Sequence, residues 1–425
     1  MRRIRRLFPR SKRLRLVLAA LVLLLAGAAL GGYLYARNRT GSIYHPNARF
    51  VPQPTPKLPT RGPDRFAWPL YGYTKNHTRY FPAPPSVRPP FRQLWAHSVG
   101  SLLEFPPVMY GERIFQLADN GVLTATNKHN GHRIWSRKLG RLSASSPALS
   151  SNTVYATVLS SGDGSSPGRI VALNMANGKI QWSRGLSSRA ESSPLLDHGK
   201  LFLGSEGGTV YAMGANDGHV IWTYHADGAV KASPSLSGGL LYFGDYSGHV
   251  QAVSERTGRL QWKSGSGGAL LGSGTFYSTS AVVYGRVFLG NTDGRVYAYD
   301  ADNGRLDWAV QTGAYVYASP AVTNAPGLGP TIYIGSYDGT FYALNARSGR
   351  TSWKFNAGGK ISGSATIVGR TVYFADLGDH VTYGLGISTG RVLFKKYTGS
   401  FDPVISDGQR IYLTGTTGLY ALVPR

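Results

Sequence analysis

One 11-residue phrase, met seven times, limits what this chain can fold into. It reads ATNKHNGHRIW, ALNMANGKIQW, AMGANDGHVIW, AVSERTGRLQW, AYDADNGRLDW, ALNARSGRTSW and, in degraded form, GLGISTGRVLF. Each copy has a small residue, a Gly six positions on and an aromatic four positions after that. The aromatics are Trp135, Trp182, Trp222, Trp262, Trp308, Trp353 and Phe394, and Trp95 precedes them at the same kind of interval, 40 to 47 residues. That period is the period of a propeller blade. A chain of 425 residues is also too long for one ordinary hydrophobic core, so repetition is the expected way for it to bury its apolar side chains.

Each position in the phrase has a physical role. Gly131, Gly178, Gly218, Gly258, Gly304, Gly349 and Gly390 follow Asn, Asp, Thr or Ser and suit the left-handed conformation of a tight hairpin turn. The phrase is then two antiparallel strands and their turn. Its small first residue leaves room for a large ring from an adjacent blade, which the aromatic supplies. Two further strands fit between phrases, as in SSPLL and LFLGS or ASPAV and TIYIG, which makes four strands per unit. Pro107, Pro147, Pro194, Pro234 and Pro320 lack an N–H and belong on a strand with a free edge, the innermost of a blade. Asn120-Gly121, Asp293-Gly294 and Asp338-Gly339 join the second and third strands. The last copy, IYLTGTTGLYALVPR, stops after a third strand. The eighth blade therefore borrows its outer strand from residues 91–99, around Trp95, and the ring closes by joining the two ends of the chain. The fold class is all-β, an eight-bladed β-propeller of four-stranded blades.

The repeated Ala/Gly/Trp phrase resembles the tryptophan-docking motif of the pyrroloquinoline-quinone (PQQ) repeat superfamily, and AWPLYGYTKNHTRYF at 67–81 resembles the lead-in of such domains. The resemblance covers about residues 66–425. It implies either a non-catalytic, BamB-like scaffold that engages envelope proteins or, as the alternative, a small-molecule binder or PQQ-dependent dehydrogenase relative. The dehydrogenases typically hold the quinone between a Trp and a vicinal disulfide beside calcium. This chain has no Cys, and its repeats lack the long insertions that build that site. No catalytic, cofactor-binding or metal residue is therefore assigned, and the blade-docking aromatics and turn glycines are the site residues expected.

Other motifs give no chemistry. The absence of Cys also removes thiolate metal sites, Cys nucleophiles and Cys-linked lipid anchors. His132 and His219 follow turn glycines, His249 sits in a hairpin, and His129-x-x-His132 spans a turn, so none has metal-ligand spacing. Asp217, Asp245, Asp302 and Asp338 fall in turns, where capping requires them. GDGSSPG at 162–168 lies between strands, without the helix of a phosphate loop.

Upstream of the propeller, residues 16–35 are uncharged and, as a helix, would span about 30 Å, a bilayer's hydrocarbon core. Eight basic residues precede them and only Arg37 and Arg39 follow closely, which places the N-terminus in the cytoplasm and the body outside. A cleaved secretory signal is the competing reading, with Ala26-Gly27-Ala28 as small residues for a peptidase. Residues 36–90 read as a Pro-rich basic stalk and lead-in: half of the 24 prolines lie in 36–95. The net charge of +25 divides into +8 over 1–35, +9 over 36–95 and +8 over 96–425. The propeller is only mildly basic, which argues against nucleic acid and points to anionic lipid or a cell-wall polymer at the stalk. The organisation expected is a basic cytoplasmic tail over 1–15, a transmembrane helix over 16–35, a stalk and lead-in over 36–90 and the propeller over 91–425. With no lipid-carrying Cys and a helical anchor, an inner-membrane or single-membrane setting fits this chain better than an outer membrane.

Overall fold

The computed structural model describes residues 17, 19–31, 42–45, 48–54, 56, 67–160, 162, 166–266, 274–401 and 403–425. The chain divides into two compact units, 1–41 with 267–272, and 42–266 with 273–425. In the first, residues 19–31 are helical, a length of about 20 Å. Among the described residues no helix is long and apolar enough to cross a membrane. The remainder of the predicted span, at 16, 18 and 32–35, and the basic tail over 1–15 lie outside the described residues.

The second unit is the propeller. Its described residues form eight sheets, each with four antiparallel strands running from the central channel to the rim. In blade 1 these are Val108–Tyr110, Arg113–Leu117, Val122–Asn127 and Arg133–Lys138. Blades 2 to 7 repeat the order with inner strands Ala148–Leu149, Leu195–Asp197, Ser235–Ser237, Ala281–Val283, Ala321–Ala325 and Thr366–Val368. Blade 8 has Val404–Ser406, Ile411–Thr414 and Gly418–Pro424, and its rim strand is Phe91–Ser98 from the start of the domain. Trp95 lies opposite Ala421 there, as Trp135 lies opposite Ala125 within blade 1. The ring is closed by its two ends, as the truncated last repeat requires.

The structure corrects the role of the small residue in the phrase. Ala125, Ala172, Ala212, Ala252, Ala298 and Ala343 face the Trp of their own blade, not of a neighbour, and a β-bulge follows each of them. The bulge takes up the turn. In blade 1 the Gly131 N–H donates to the Asn127 carbonyl at 2.9 Å, the Asn127 side chain accepts from the His129 N–H at 2.8 Å, and Gly131 has φ +74. A small residue opposite the ring lets the indole lie flat along the blade edge and overhang the next blade.

The prolines of the inner edge stand immediately before the inner strands, not within them. Not every inner edge is free. Ala67–Trp68 pairs with Val108–Tyr110 in blade 1, and Tyr80–Phe81 pairs in parallel with the inner strand of blade 7. Of the stretch read as stalk and lead-in, the parts at 42–45, 48–54 and 67–90 pack on the propeller, and 36–41, 46–47, 55 and 57–66 lie outside the described residues. Ile43–Tyr44 adds a fifth strand outside the rim strand Leu306–Gln311 of blade 5, and Phe50 stacks on Tyr284 at 5.1 Å.

Candidate functional site

Each predicted docking residue lies at a seam between blades. The ring of Trp95 covers Gly131, and Trp135, Trp182, Trp222, Trp262, Trp308 and Trp353 cover Gly178, Gly218, Gly258, Gly304, Gly349 and Gly390 in turn. A Cβ on any of these glycines would lie within about 3 Å of the indole, closer than carbon atoms pack. Each indole N–H donates to the carbonyl three residues before its glycine, at 2.9 to 3.2 Å: Trp95 to Lys128, Trp135 to Met175, Trp182 to Ala215, Trp222 to Glu255, Trp262 to Ala301, Trp308 to Ala346 and Trp353 to Ile387. Phe394 is the exception. The next blade has no turn at this point, because its rim strand comes from the other end of the chain, so Phe394 packs edge-on against Phe91 at 5.7 Å and needs no N–H. These residues form a structural girdle at the rim.

The centre of the ring is organised by the lead-in at 67–81, to which the sequence assigns no place in the ring. The segment 67–81 threads the channel and gives main-chain carbonyls to the inner strands in turn: Pro69 to Leu149, Lys75 to Leu236, Asn76 to Val282, Thr78 to Val322 and Arg79 to Ile367. Trp68, the one Trp outside the repeat series, is buried there against Tyr73 and Phe81. The Asn76 side chain donates to the Val282 carbonyl at 3.1 Å. Burial, with the charge of Arg79 adding to it, pushes the His77 imidazole down to about 4. A second girdle lies just above this plug, from hydroxyls two residues before the inner strands. The Ser146 N–H donates to Ser193 Oγ, Ser233 to Thr279, Thr279 to Ser319 and Ser319 to Ser364, at 2.9 to 3.1 Å. The SSP and ASP triplets carried this signal, but the reading used only their proline.

Above the hydroxyls the channel opens as a funnel whose floor is Tyr71, with the Arg79 guanidinium 4.0 Å beneath the ring and Ser364 Oγ 3.2 Å from the phenol. Its wall comes from the residue four positions before each inner strand. In blades 1 to 8 these are Glu104, Ala144, Glu191, Lys231, Tyr277, Tyr317, Ser362 and Ser400, and six of them line the cavity. In blades 2, 3, 4 and 6 the next three residues are SSP or ASP, whereas this position is Ala, Glu, Lys and Tyr in turn. Lys231 Nζ holds Glu191 at 2.8 Å and Glu206 at 2.9 Å. Burial raises the Glu191 carboxyl above its ordinary value, against the pull of Lys231. Burial opposes the Lys231 charge too, but its two carboxylates outweigh it and hold the ammonium up to about 12. Beside this cluster Tyr246, Tyr277, Tyr317, Tyr337 and Tyr315 form a run of tilted and edge-on ring contacts, with successive centroids 4.9 to 6.5 Å apart.

These residues do not fit the quinone that the resemblance raised. PQQ is a flat, fused-ring tricarboxylate. The funnel offers it Glu104 and Glu191, a lysine already shared by two carboxylates, a floor filled by the chain's own Tyr71, and about 50 Å³ of water-accessible space, room for a few waters. Among the described residues one grouping has metal-ligand types, Asp227, Asp245 and His249. Lys263 Nζ lies 2.8 Å from Asp227, and Asp245 accepts from the N–H groups of Ser247 and His249 and from the Gln251 amide. That is an ion-pair and capping network.

The sequence matches a family model described as outer membrane protein assembly factor BamB over residues 92–196, 166–326 and 312–421. Among solved structures, BamB from Moraxella catarrhalis is similar at 17% identity and a TM-score of 0.64, covering 79% of this chain and 100% of that one. A europium-containing methanol dehydrogenase is similar at 14% and 0.67, covering 85% and 98%. The quinohemoprotein alcohol dehydrogenase from Comamonas testosteroni is similar at 15% and 0.68, covering 84% and 80%. No curated protein sequence matches. At these identities the structural likeness is one of fold.

Proposed function

We propose, from the premise that this chain belongs to the BamB family of PQQ-repeat propellers, that it is a membrane-anchored, extracytoplasmic scaffold which binds envelope proteins and catalyses no reaction. The observation that carries this reading is the filled channel. Segment 67–81 bonds to the inner strands of blades 1, 2 and 4 to 7, and the funnel above it has carboxylates where the quinone would bring its own. Anchoring rests on the uncharged stretch over 16–35 and the eight basic residues before it. The basic residues over 36–66 suit anionic lipid or a cell-wall polymer.

Two experiments test this. Protease added to intact spheroplasts is expected to cut upstream of the docked strand Ile43–Tyr44 and release a resistant propeller. A propeller protected in spheroplasts and cut only after lysis refutes the exported topology, and a mature chain starting near residue 30 selects the cleaved signal. In the second, full-length protein dialysed with PQQ and calcium is expected to retain no quinone at micromolar concentration and to reduce no dye with alcohols. Saturable retention with turnover overturns the non-catalytic reading.

A further inference from the structure

We propose that the funnel is a carbohydrate site, which takes the end of a neutral glycan against Tyr315 and Tyr317 with its hydroxyls shared between Glu191 and Lys231. The inference rests on the funnel being a binding face, as the proposed function has it, and adds the class of ligand.

Three observations lead to it. The first is charge. The chain carries +25, but the funnel does not share the excess: Glu104 and Glu191 line it beside a single cation, Lys231, and the nearby Glu206, Arg189 and Lys360 add both signs. Arg189 reaches Glu206 at 3.6 Å, and Lys360 lies 5.5 Å over the Tyr337 ring. An anionic ligand meets the carboxylates and a cationic one meets the ammonium groups. A neutral ligand dense in hydroxyls can donate to a carboxylate and accept from a lysine at neighbouring positions.

The second is the aromatic wall. Tyr315 is 53% exposed and stands at 85° to Tyr317 with centroids 6.0 Å apart. Exposed tyrosines present an apolar face with a polar tip, which suits the C–H face and hydroxyl edge of a pyranose. The third is shape. The enclosed part of the funnel is small, and its tyrosines continue outward along the loops of blades 4 to 6. With room inside for a few waters only, it admits hydroxyl or hydroxymethyl groups of the terminal sugar, whose ring rests on the tyrosines outside. Residues 48–54 and 56 do not obstruct it, because they lie over the loops joining first and second strands, at 237–240 and 283–285, whereas the funnel is built from the loops at the other end of those inner strands.

The test uses full-length protein in nanodiscs, free of glycosidic detergent, titrated with chitotetraose, cellotetraose and maltotetraose. Spermidine and an Arg/Lys-rich peptide serve as cationic probes, and binding is followed by saturation-transfer NMR and calorimetry. Saturable binding of at least one oligosaccharide is expected below about 1 mM, weakened about tenfold by Glu191→Gln and by Tyr315→Ser. Tyr315 is exposed, so its variant reports on binding without a risk to folding. Three results overturn the proposal: no oligosaccharide binds, one binds equally well to the Tyr315→Ser protein, or only the cationic probes bind. In each of these cases crosslinking to envelope proteins still tests the scaffold reading independently.

Discussion

The seam between blades 8 and 1 is the place to test the ring, because only tertiary contacts hold the two ends of the chain there. Trp95 is 9% exposed, its N–H donates to the Lys128 carbonyl at 3.0 Å, and its ring covers Gly131. The same seam holds a buried pair, Lys128 Nζ and Asp407 Oδ2 at 4.0 Å, whose side chains are 1% and 0% exposed. Tyr412 donates its hydroxyl to the same carboxylate oxygen at 2.8 Å. An indole buries roughly 200 Å², worth up to about 5 kcal/mol at roughly 25 cal/mol per Å². Observed costs of large-to-Ala core changes run from about 3 to 5 kcal/mol, and loss of the N–H bond leaves a carbonyl with one partner fewer, at about 1 kcal/mol. Trp95→Ala is therefore expected to destabilise the propeller by about 4 kcal/mol, and Trp95→Phe, which keeps most of the ring, by about 1 to 2. Urea unfolding followed by circular dichroism measures both, with the exposed Lys354→Ala as reference. If Trp95→Ala falls within about 0.5 kcal/mol of that surface change, Trp95 closes nothing and the docking argument fails.

Two further predictions concern the girdle and the plug. Gly131 and Gly199 both have φ +74, but an added Cβ meets the Trp95 ring at 2.7 Å in the first and nothing within 4 Å in the second. Gly199→Ala is thus expected to cost about 1 kcal/mol from backbone strain alone, and Gly131→Ala about 1 to 3 kcal/mol more from the clash, both read from urea midpoints. His77 is buried and its pKa lies at about 4 against an ordinary 6.5. The unfolded chain therefore takes up a proton that the folded one refuses. Its contribution is complete above the ordinary value and is lost as pH falls from there towards 4, by about 3 kcal/mol. His77→Asn, at a position with φ +51 that Asn tolerates, is expected to flatten that stretch of the stability curve. An unchanged slope refutes the assignment.

The number of blades, the strands in each and the closure of the ring were legible in the sequence because they depend on local chemistry that repeats. A Gly that must turn left-handed, an aromatic four residues later and a missing last strand can each be read along the chain. Even the decay of Trp to Phe394 follows from the closure, since the rim strand that it meets, Phe91–Ser98, has no turn glycine to dock on. The direction in which the small residue makes room was not legible, because Ala125 faces Trp135 through a cross-strand pair and a bulge that the spacing does not encode. Nor was the plug. AWPLYGYTKNHTRYF has no period, and it becomes structure only where six blades present their inner strands to it. The funnel lies between these cases. Its wall was present in the sequence as a variable position before the SSP and ASP triplets, at Ala144, Glu191, Lys231 and Tyr317, yet nothing along the chain says that residues about 40 apart meet. A closed ring turns a position that varies along the sequence into a set of side chains around one axis, and so the tertiary structure alone decided which chemistries face one another.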